Sequence, residues 1–296
     1  MTNTRYEYLD IAKGLGILAV VWAHIMLSGW SHKICYAFYM PLFFMISGML
    51  FQRDKYATFW DFLIRRGKRL FVPYILYSVV TWVIWVAFRI CRGDAVDSWW
   101  MPLLQTFIAQ GSGAYLVHNS ALWFIPCLFA VEMIFFFICK MRMGGVMISF
   151  VMAGLSFLMG RLLGDTWWNL LPWNLDAALI ALPFYAVGNV FVGRMSHDKV
   201  ISYVKSHKMG AFCIWITLTF LLIMGTMKYG TCSMGSSLYN CSGWVFVLRA
   251  FVGCFALLFF SLLLNMLDKK HIVFQKLLWY FKWMGKNSLD VMCTHI

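Results

Sequence analysis

Three ionisable residues lie on one face of the first apolar stretch of the chain, LDIAKGLGILAVVWAH. In a helix, which turns by about 100° per residue, Lys13 and His24 lie within about 20° of each other, and Asp10 lies within about 40° of His24. An ionisable side chain at membrane depth costs at least a few kcal/mol, so this stripe predicts a functional site. An imidazole can act there as a general base. The alternative is that Lys13 extends to the interface and His24 hydrogen-bonds a neighbouring helix.

The elements that must position these residues are membrane-spanning helices. The sequence is 62% hydrophobic and only 12% charged, with a mean hydropathy of +0.73, outside the range of soluble globular domains. Apolar stretches of about 20 residues recur along it. We therefore predict an all-α polytopic integral membrane bundle in which residues 1–296 form a single domain. The predicted spans are 8–29, 34–52, 70–90, 121–139, 145–163, 173–193, 209–228 and 244–267.

The first and last apolar runs and the longest loop complete the predicted topology. The first apolar run lacks a small-x-small cleavage site, so we expect it to remain in the mature protein rather than to be removed as a signal peptide. A ninth run opens near residue 287, and the ten residues from Asn287 to Ile296 are too few to cross the hydrocarbon. This pattern predicts that the ninth span is truncated. The longest loop is predicted between 92 and 120, and its WWMPLLQTF portion is suited to lie at the interface.

The cations predict the orientation. With a cytoplasmic N-terminus, 19 of the 25 Lys and Arg residues fall on the cytoplasmic side, as the positive-inside rule requires. The net charge of +13 is therefore mainly a topology signal, and it does not indicate nucleic-acid binding, because no soluble basic domain carries it.

The nine cysteines show neither CxxC spacing nor a Cys/His ligand pattern, so no metal site is predicted. Most lie in apolar runs, where Cys behaves as a small hydrophobic residue. Cys232 and Cys241 differ, because both fall in a Gly/Ser-rich loop that the orientation places outside. An oxidising compartment would allow a disulfide between them, although the sequence leaves this open.

Several strings along the chain resemble the membrane-bound acyltransferase family 3, which includes sugar and polysaccharide O-acetyltransferases such as fucose O-acetylase-like proteins. LDIAKGLGILAVVWAH is followed in family order by YMPLFFMISGMLF, RRGKRLFVPY, ALWFIPCLF, LDAALIALPFYAVGN and GKNSLDVMCTH. The resemblance covers nearly the whole chain. Its most specific part is a basic residue followed by ten others and then His, joined to FFMISG and a basic RxxR. The family usually has ten spans, and its frequent arginine at the first basic position is Lys13 here.

The resemblance implies transfer of an acyl group, most simply acetyl, from a cytoplasmic acyl-CoA to a hydroxyl of a cell-surface or lipid-linked sugar. His24 matches the family histidine and is the expected catalytic base. Lys13, Arg66 and Arg69 are the expected donor-binding residues, since acetyl-CoA carries phosphates. Acetyl-CoA is expected as a co-substrate, with no bound cofactor. The alternative for the arginines is a positive-inside anchor of topology.

Four further residues are weaker candidates. Asp10 is a possible supporting residue for the first stripe, and Trp123, in the WF pair of the resemblance, could stack on a sugar or adenine ring. Glu132, in the fourth span, could hold the acceptor, pair with a cation or be a protonated packing residue. His295 matches a later histidine of the family.

The sequence thus predicts a multi-pass acyltransferase of the bacterial cytoplasmic membrane. Its partners would be membrane lipid, acyl-CoA and a sugar or polysaccharide acceptor. Direct transfer and an acyl relay through a covalent intermediate are both compatible with the residues. A transporter or flippase of a polar or lipid-linked substrate is the alternative function, although no convincing internal repeat favours it.

We expect a cytoplasmic N-terminus, with the 53–69 and 268–286 loops on the same side and the 229–243 loop opposite. In a variant without native cysteines, an impermeant maleimide added to intact cells should label Ser236→Cys but not Trp60→Cys. After permeabilisation, both positions should react. Labelling of Trp60→Cys alone in intact cells would reverse the orientation.

Overall fold

The computed structural model describes residues 6–26, 28–94, 98–111, 115–141, 143–163, 171–194, 196–236, 238–267 and 272–295. In these ranges the chain is almost entirely helical. The helices are α1 (Glu7–Ile25), α2 (Trp30–Leu50), α3 (Phe59–Cys91), α4 (Met101–Ile108), α5 (Phe124–Ile138), α6 (Met143–Leu163), α7 (Leu175–Arg194), α8 (His197–Ser206), α9 (Lys208–Tyr229), α10 (Gly243–Asn265), α11 (Ile272–Lys286) and α12 (Ser288–Thr294). Short 3-10 turns cover Arg53–Lys55, Ser120–Trp123, Cys139–Met141 and Pro172–Asn174, and two-residue strands cover Cys232–Ser233 and Leu238–Tyr239.

Eight segments of the described chain are long and apolar enough to cross a membrane, and each overlaps one of the eight predicted spans. The all-α polytopic architecture is therefore confirmed. Three of these helices, α3, α6 and α9, have only 17% of their most apolar window buried within the protein. Their exposed apolar side chains are suited to contact lipid, because no water-facing helix of a soluble protein keeps so much hydrocarbon on its surface.

Two predictions about the extent of the helices were wrong. The third helix begins eleven residues earlier than expected, at Phe59, because the Thr58 side chain accepts a hydrogen bond from the Asp61 amide at 3.1 Å and caps it. The basic run that precedes the apolar part therefore lies within α3. The sequence predicts a loop over 268–286, yet Ile272–Lys286 is helical. Its amphipathic pattern, interrupted by lysines, is too polar to predict a span.

The chain divides into two compact units. The first comprises Met1–Phe51, Val187–Ser233 and Tyr239–Val291. The second comprises Gln52–Ala186, Met234–Leu238 and Met292–Ile296. The single domain predicted for residues 1–296 remains a prediction.

In the first unit, α1 packs against α2, α10 and α11. The contact between α1 and α11 depends on two glycines. A Cβ added at Gly14 would overlap the carbonyl of Phe281, and one added at Gly285 would overlap the carbonyl of Asp10. The two backbones therefore touch where both side chains are absent, as in other closely packed membrane helices.

The end of α2 is closed within the same unit by one amide side chain. Asn189 Nδ2 donates to the carbonyl of Gly48 at 3.1 Å and to that of Phe51 at 2.9 Å. The Gly48 carbonyl, in the last turn of α2, also accepts from the Phe51 amide at 3.2 Å, and the Phe51 carbonyl lies just beyond the helix, where the regular helical hydrogen bonds end. A Cβ at Gly188 would overlap the Met45 backbone, so α7 also lies close against the FFMISG segment.

In the second unit, α3 packs against α4 and α5. An aromatic cluster joins the N-terminal part of α3 to the end of α5, with the rings of Phe62 and Phe136 stacked at 4.8 Å between centroids. Phe62 is fully buried. Offset aromatic pairs of this kind contribute about 0.5–1.5 kcal/mol beyond the area that they bury.

We expect Gly14→Ala and Gly285→Ala each to destabilise the protein by about 1–3 kcal/mol, because the new methyl group must push a backbone carbonyl away. Thermal unfolding in detergent would measure the effect. Gly193→Ala is the matched control, since this helical glycine of the first unit has no atom within 4 Å of the added Cβ. Equal midpoints for all three variants would mean that the α1–α11 contact contributes little.

Candidate functional site

The residues predicted on α1 lie in one unbroken helix of the first unit. Lys13 Nζ lies 3.0 Å from Oδ1 of Asp10, the residue about one helical turn earlier in the chain. The Asp10 side chain is 6% exposed, while Lys13 keeps 21% of its side chain exposed. A buried carboxylate is stabilised by an adjacent cation, and the carboxylate in turn restrains the lysine. Asp10 therefore positions the Lys13 ammonium.

His24 lies in the last turn of α1 and is half-buried. Its Nδ1 is 2.8 Å from the carbonyl oxygen of Val20. Because a carbonyl can only accept, this nitrogen must carry a hydrogen, and the lone pair of the neutral ring is then on Nε2. The helix backbone thus selects one tautomer. In that tautomer Nε2 is the atom able to take a proton.

The first unit places two further polar rings near His24 that the sequence analysis missed. His32 Nδ1 donates to the carbonyl of Ala23 at 3.0 Å, and its ring lies 4.3 Å from that of Tyr36. Tyr36 lies 6.3 Å from the His24 ring. His32 and Tyr36 are four residues apart, a spacing that places both rings on one face of a helix and could have predicted this contact. The predicted second span begins at residue 34 and therefore leaves His32 outside it, whereas the helix begins at Trp30.

In the second unit, the structure brings together two predicted residues that are far apart in sequence. Arg66 on α3 donates from Nε to Glu132 Oε2 at 2.6 Å and from Nη2 to Glu132 Oε1. Glu132 is fully buried, and Tyr185 OH also donates to its Oε1 at 3.4 Å. Removing one member of such a buried pair leaves an uncompensated charge and costs about 3–5 kcal/mol. Of the roles considered for Glu132, the geometry is that of pairing with a cation.

The two arginines of the RxxR motif have different environments. Arg66 keeps 17% of its side chain exposed, and the paired fork leaves Nη1 outside the ion pair. Arg69, one turn along α3, is exposed. Arg65, on the other side of the motif, is also exposed and pairs with Asp61. Arg69 is therefore the arginine of the motif that solvent and a soluble anion can reach.

Trp123 packs within the second unit. Its side chain is 6% exposed, and a Cβ added at Gly235 would lie 2.7 Å from its ring. Asn174 fixes the same region, with Oδ1 accepting from the Gly111 amide at 2.7 Å and Nδ2 donating to the Gly235 carbonyl at 2.9 Å. Asn174 thus bridges two loops. A stacking role for Trp123 stays a prediction.

A buried polar cluster that the sequence analysis did not anticipate lies in the second unit. Ser78 Oγ donates to Thr106 Oγ1 at 3.2 Å and lies 3.4 Å from His118 Nε2. Burial lowers the pKa of His118 to about 4, so this imidazole is neutral at physiological pH. Asn119 donates to the carbonyl of Cys293 at 2.7 Å. His118 fell in the predicted loop, where nothing in the sequence indicated that it would be buried.

No group of three or more His, Cys, Asp or Glu residues in the described part of the chain is arranged to hold a metal ion.

Comparison with known proteins identifies the reaction class of the chain. A family model described as an acyltransferase domain matches residues 6–296. No curated protein and no solved structure matches the chain. Because the match covers all but the first five residues, the chain belongs to this acyltransferase family, the membrane-bound family 3 that its motifs resemble.

Proposed function

We propose that this acyltransferase moves an acetyl group from cytoplasmic acetyl-CoA to a hydroxyl of a cell-surface or lipid-linked sugar, with His24 as the general base. The observation that carries the proposal is the hydrogen bond from His24 Nδ1 to the Val20 carbonyl at 2.8 Å. It holds the ring with the proton-accepting Nε2 in a fixed orientation, which is what a general base needs. The family match supplies the reaction class.

The proposed step is a direct acyl transfer. The acceptor hydroxyl oxygen attacks the thioester carbonyl carbon while Nε2 of His24 takes its proton. The carbon–sulfur bond then breaks, and the new carbon–oxygen bond remains as the ester. The proton on His24 passes to the leaving thiolate, which regenerates the neutral imidazole and releases CoA as a thiol.

Donor binding is assigned to cationic side chains. Arg69 is exposed and is suited to a phosphate of the donor, while Arg66 is oriented by Glu132. Lys13 is held by Asp10 and remains partly exposed. In this proposal Glu132 and Asp10 are positioning residues, since each already has a cationic partner. Trp123 is buried in the second unit, and its proposed role is to stack on a ring of the acceptor or donor.

The proposed setting is the bacterial cytoplasmic membrane, with the N-terminus in the cytoplasm. The apolar helices fit a multi-pass membrane protein, and the cation distribution supports the orientation. Acetyl-CoA is made in the cytoplasm, so a donor site on that side requires no export of the thioester. The acceptor class follows from the family resemblance.

Replacing His24 tests the base. Both His24→Ala and His24→Gln should insert and fold, and turnover should fall by about a hundred- to ten-thousand-fold. Gln keeps the size and a hydrogen-bond donor but cannot accept a proton at neutral pH. Purified protein with labelled acetyl-CoA and a panel of glycans would measure transfer, normalised to the folded protein.

The matched control is His207→Gln. His207 also donates from Nδ1 to the carbonyl four residues earlier, that of Tyr203, at 3.1 Å, but it is exposed after α8. Its replacement should leave turnover unchanged. Near-normal turnover by His24→Gln would remove His24 from the mechanism and leave it with a role in helix packing.

Donor affinity tests the arginine assignment. Arg69→Ala should weaken binding of acetyl-CoA by about ten- to a hundred-fold, because one charged hydrogen bond to phosphate is lost, worth about 1.5–3 kcal/mol. Arg65→Ala removes the same charge from the same helix and should have little effect, since Arg65 pairs with Asp61. Binding of acetyl-CoA to the purified protein would measure both. Equal affinity in the two variants would leave the cluster with a topological role alone.

A further inference from the structure

Two cysteines of the first unit lie in contact in the segment between α9 and α10. The Sγ atoms of Cys232 and Cys241 are 3.5 Å apart. Cys232 is fully buried, and Cys241 is half-buried. A disulfide needs the two sulfurs at about 2.05 Å, so closure requires each to move by less than about 1 Å. Side-chain rotation alone can supply a shift of that size.

The backbone near Cys232 is held in place by a buried arginine. Arg249 on α10 is 5% exposed, and its Nη1 donates to the carbonyls of Gly230 at 2.9 Å and Gly225 at 3.5 Å. Gly225 lies in the last turn of α9, and Gly230 directly follows that helix, so its carbonyl is beyond the regular helical hydrogen bonds. Gly230 then turns the chain with a φ of +69°, two residues before Cys232. Arg249 thus fixes the start of the segment against α10 and sets the position of the first sulfur.

The cation distribution predicts that this segment lies outside the cytoplasm, where thiols become oxidised. The other described cysteines lie in helices or at their ends, and Cys213, for example, is exposed on α9. Cys232 and Cys241 therefore meet two conditions for a disulfide: their sulfurs are in contact, and their segment is predicted to lie in an oxidising compartment.

We propose that Cys232 and Cys241 form an intramolecular disulfide that closes the segment between α9 and α10. The oxidant is the disulfide of an extracytoplasmic thiol oxidoreductase. The Cys241 thiolate attacks it, and one thiol of the oxidant leaves. The Cys232 thiolate then attacks Cys241 Sγ, which forms the new bond and releases the second oxidant thiol. Two electrons pass to the oxidant, and the two thiol protons go to the thiols that it releases.

The local electrostatics bear on when this bond forms. Burial, the hydrogen bond with Cys232 and the proximity of Cys232 raise the pKa of Cys241 to about 12, while the positive charge of Arg249 acts in the opposite direction. A folded, reduced protein therefore holds little thiolate at neutral pH and reacts slowly. Oxidation should take place during insertion, before the segment is buried. This inference is independent of the catalytic roles proposed above.

Counting free thiols tests the proposal. Cells are quenched with acid to trap the thiols, and the denatured protein is treated with a polyethylene-glycol maleimide. The wild-type chain has nine cysteines and should take seven labels without reductant and nine after reduction. Cys232→Ser or Cys241→Ser should each take eight labels in both conditions, because the partner thiol is released. The matched control Cys213→Ser should take six and then eight.

The outcomes separate the alternatives. Nine labels on the unreduced wild-type protein would overturn the proposal, and six labels on unreduced Cys232→Ser would show that another pair is bonded. The closed loop is short, so its loss should lower the thermal midpoint in detergent by on the order of 5 °C. The single and double serine variants should shift equally. Reduction of the folded wild-type protein should reproduce that shift.

Discussion

A charge surrounded by hydrocarbon must have a partner, and this requirement determines where the polar residues of the chain lie. Two ion pairs meet it, Asp10 with Lys13 within one helix and Arg66 with Glu132 between two helices. Desolvation offsets most of the attraction in such pairs, so they add little net stability. Breaking either pair is costly, however, and this asymmetry fixes the position of each side chain. Two of the residues predicted to bind the donor, Lys13 and Arg66, are therefore held by carboxylates before any donor arrives.

The sequence was sufficient for the architecture because the apolar runs are long and the polar connections are short. It was also sufficient for the stripe on α1, since residues on one helix have a known angular relation. It could not pair Arg66 with Glu132, because the two are 66 positions apart and several cations were possible partners. The amphipathic helix α11 was missed for a different reason, since its lysines lowered the mean hydropathy of a segment whose apolar face packs on α1.

Three histidines of the chain show that residue type alone does not determine chemical role. His24 is half-buried, and a backbone carbonyl selects its tautomer. His118 is buried beside Ser78, and its lowered pKa keeps it neutral. His207 makes the same backbone hydrogen bond as His24 but is exposed to solvent. Spacing within a helix can separate the first from the others, whereas the burial of His118 depends on contacts with α3 and α4 that no local pattern reveals.

The glycine contact between α1 and α11 also restricts how these helices can move. Gly14 and Gly285 interlock backbone to backbone, with the Asp10 carbonyl directly against Gly285. A slide smaller than one helical turn, about 5.4 Å, would bring a side chain of one helix onto the backbone of the other. The contact therefore restricts α1 and α11 to a few discrete positions along each other. Lys13, adjacent to Gly14, is subject to the same restriction, so the α1–α11 contact sets where its backbone lies along α11, while the ion pair with Asp10 holds its ammonium.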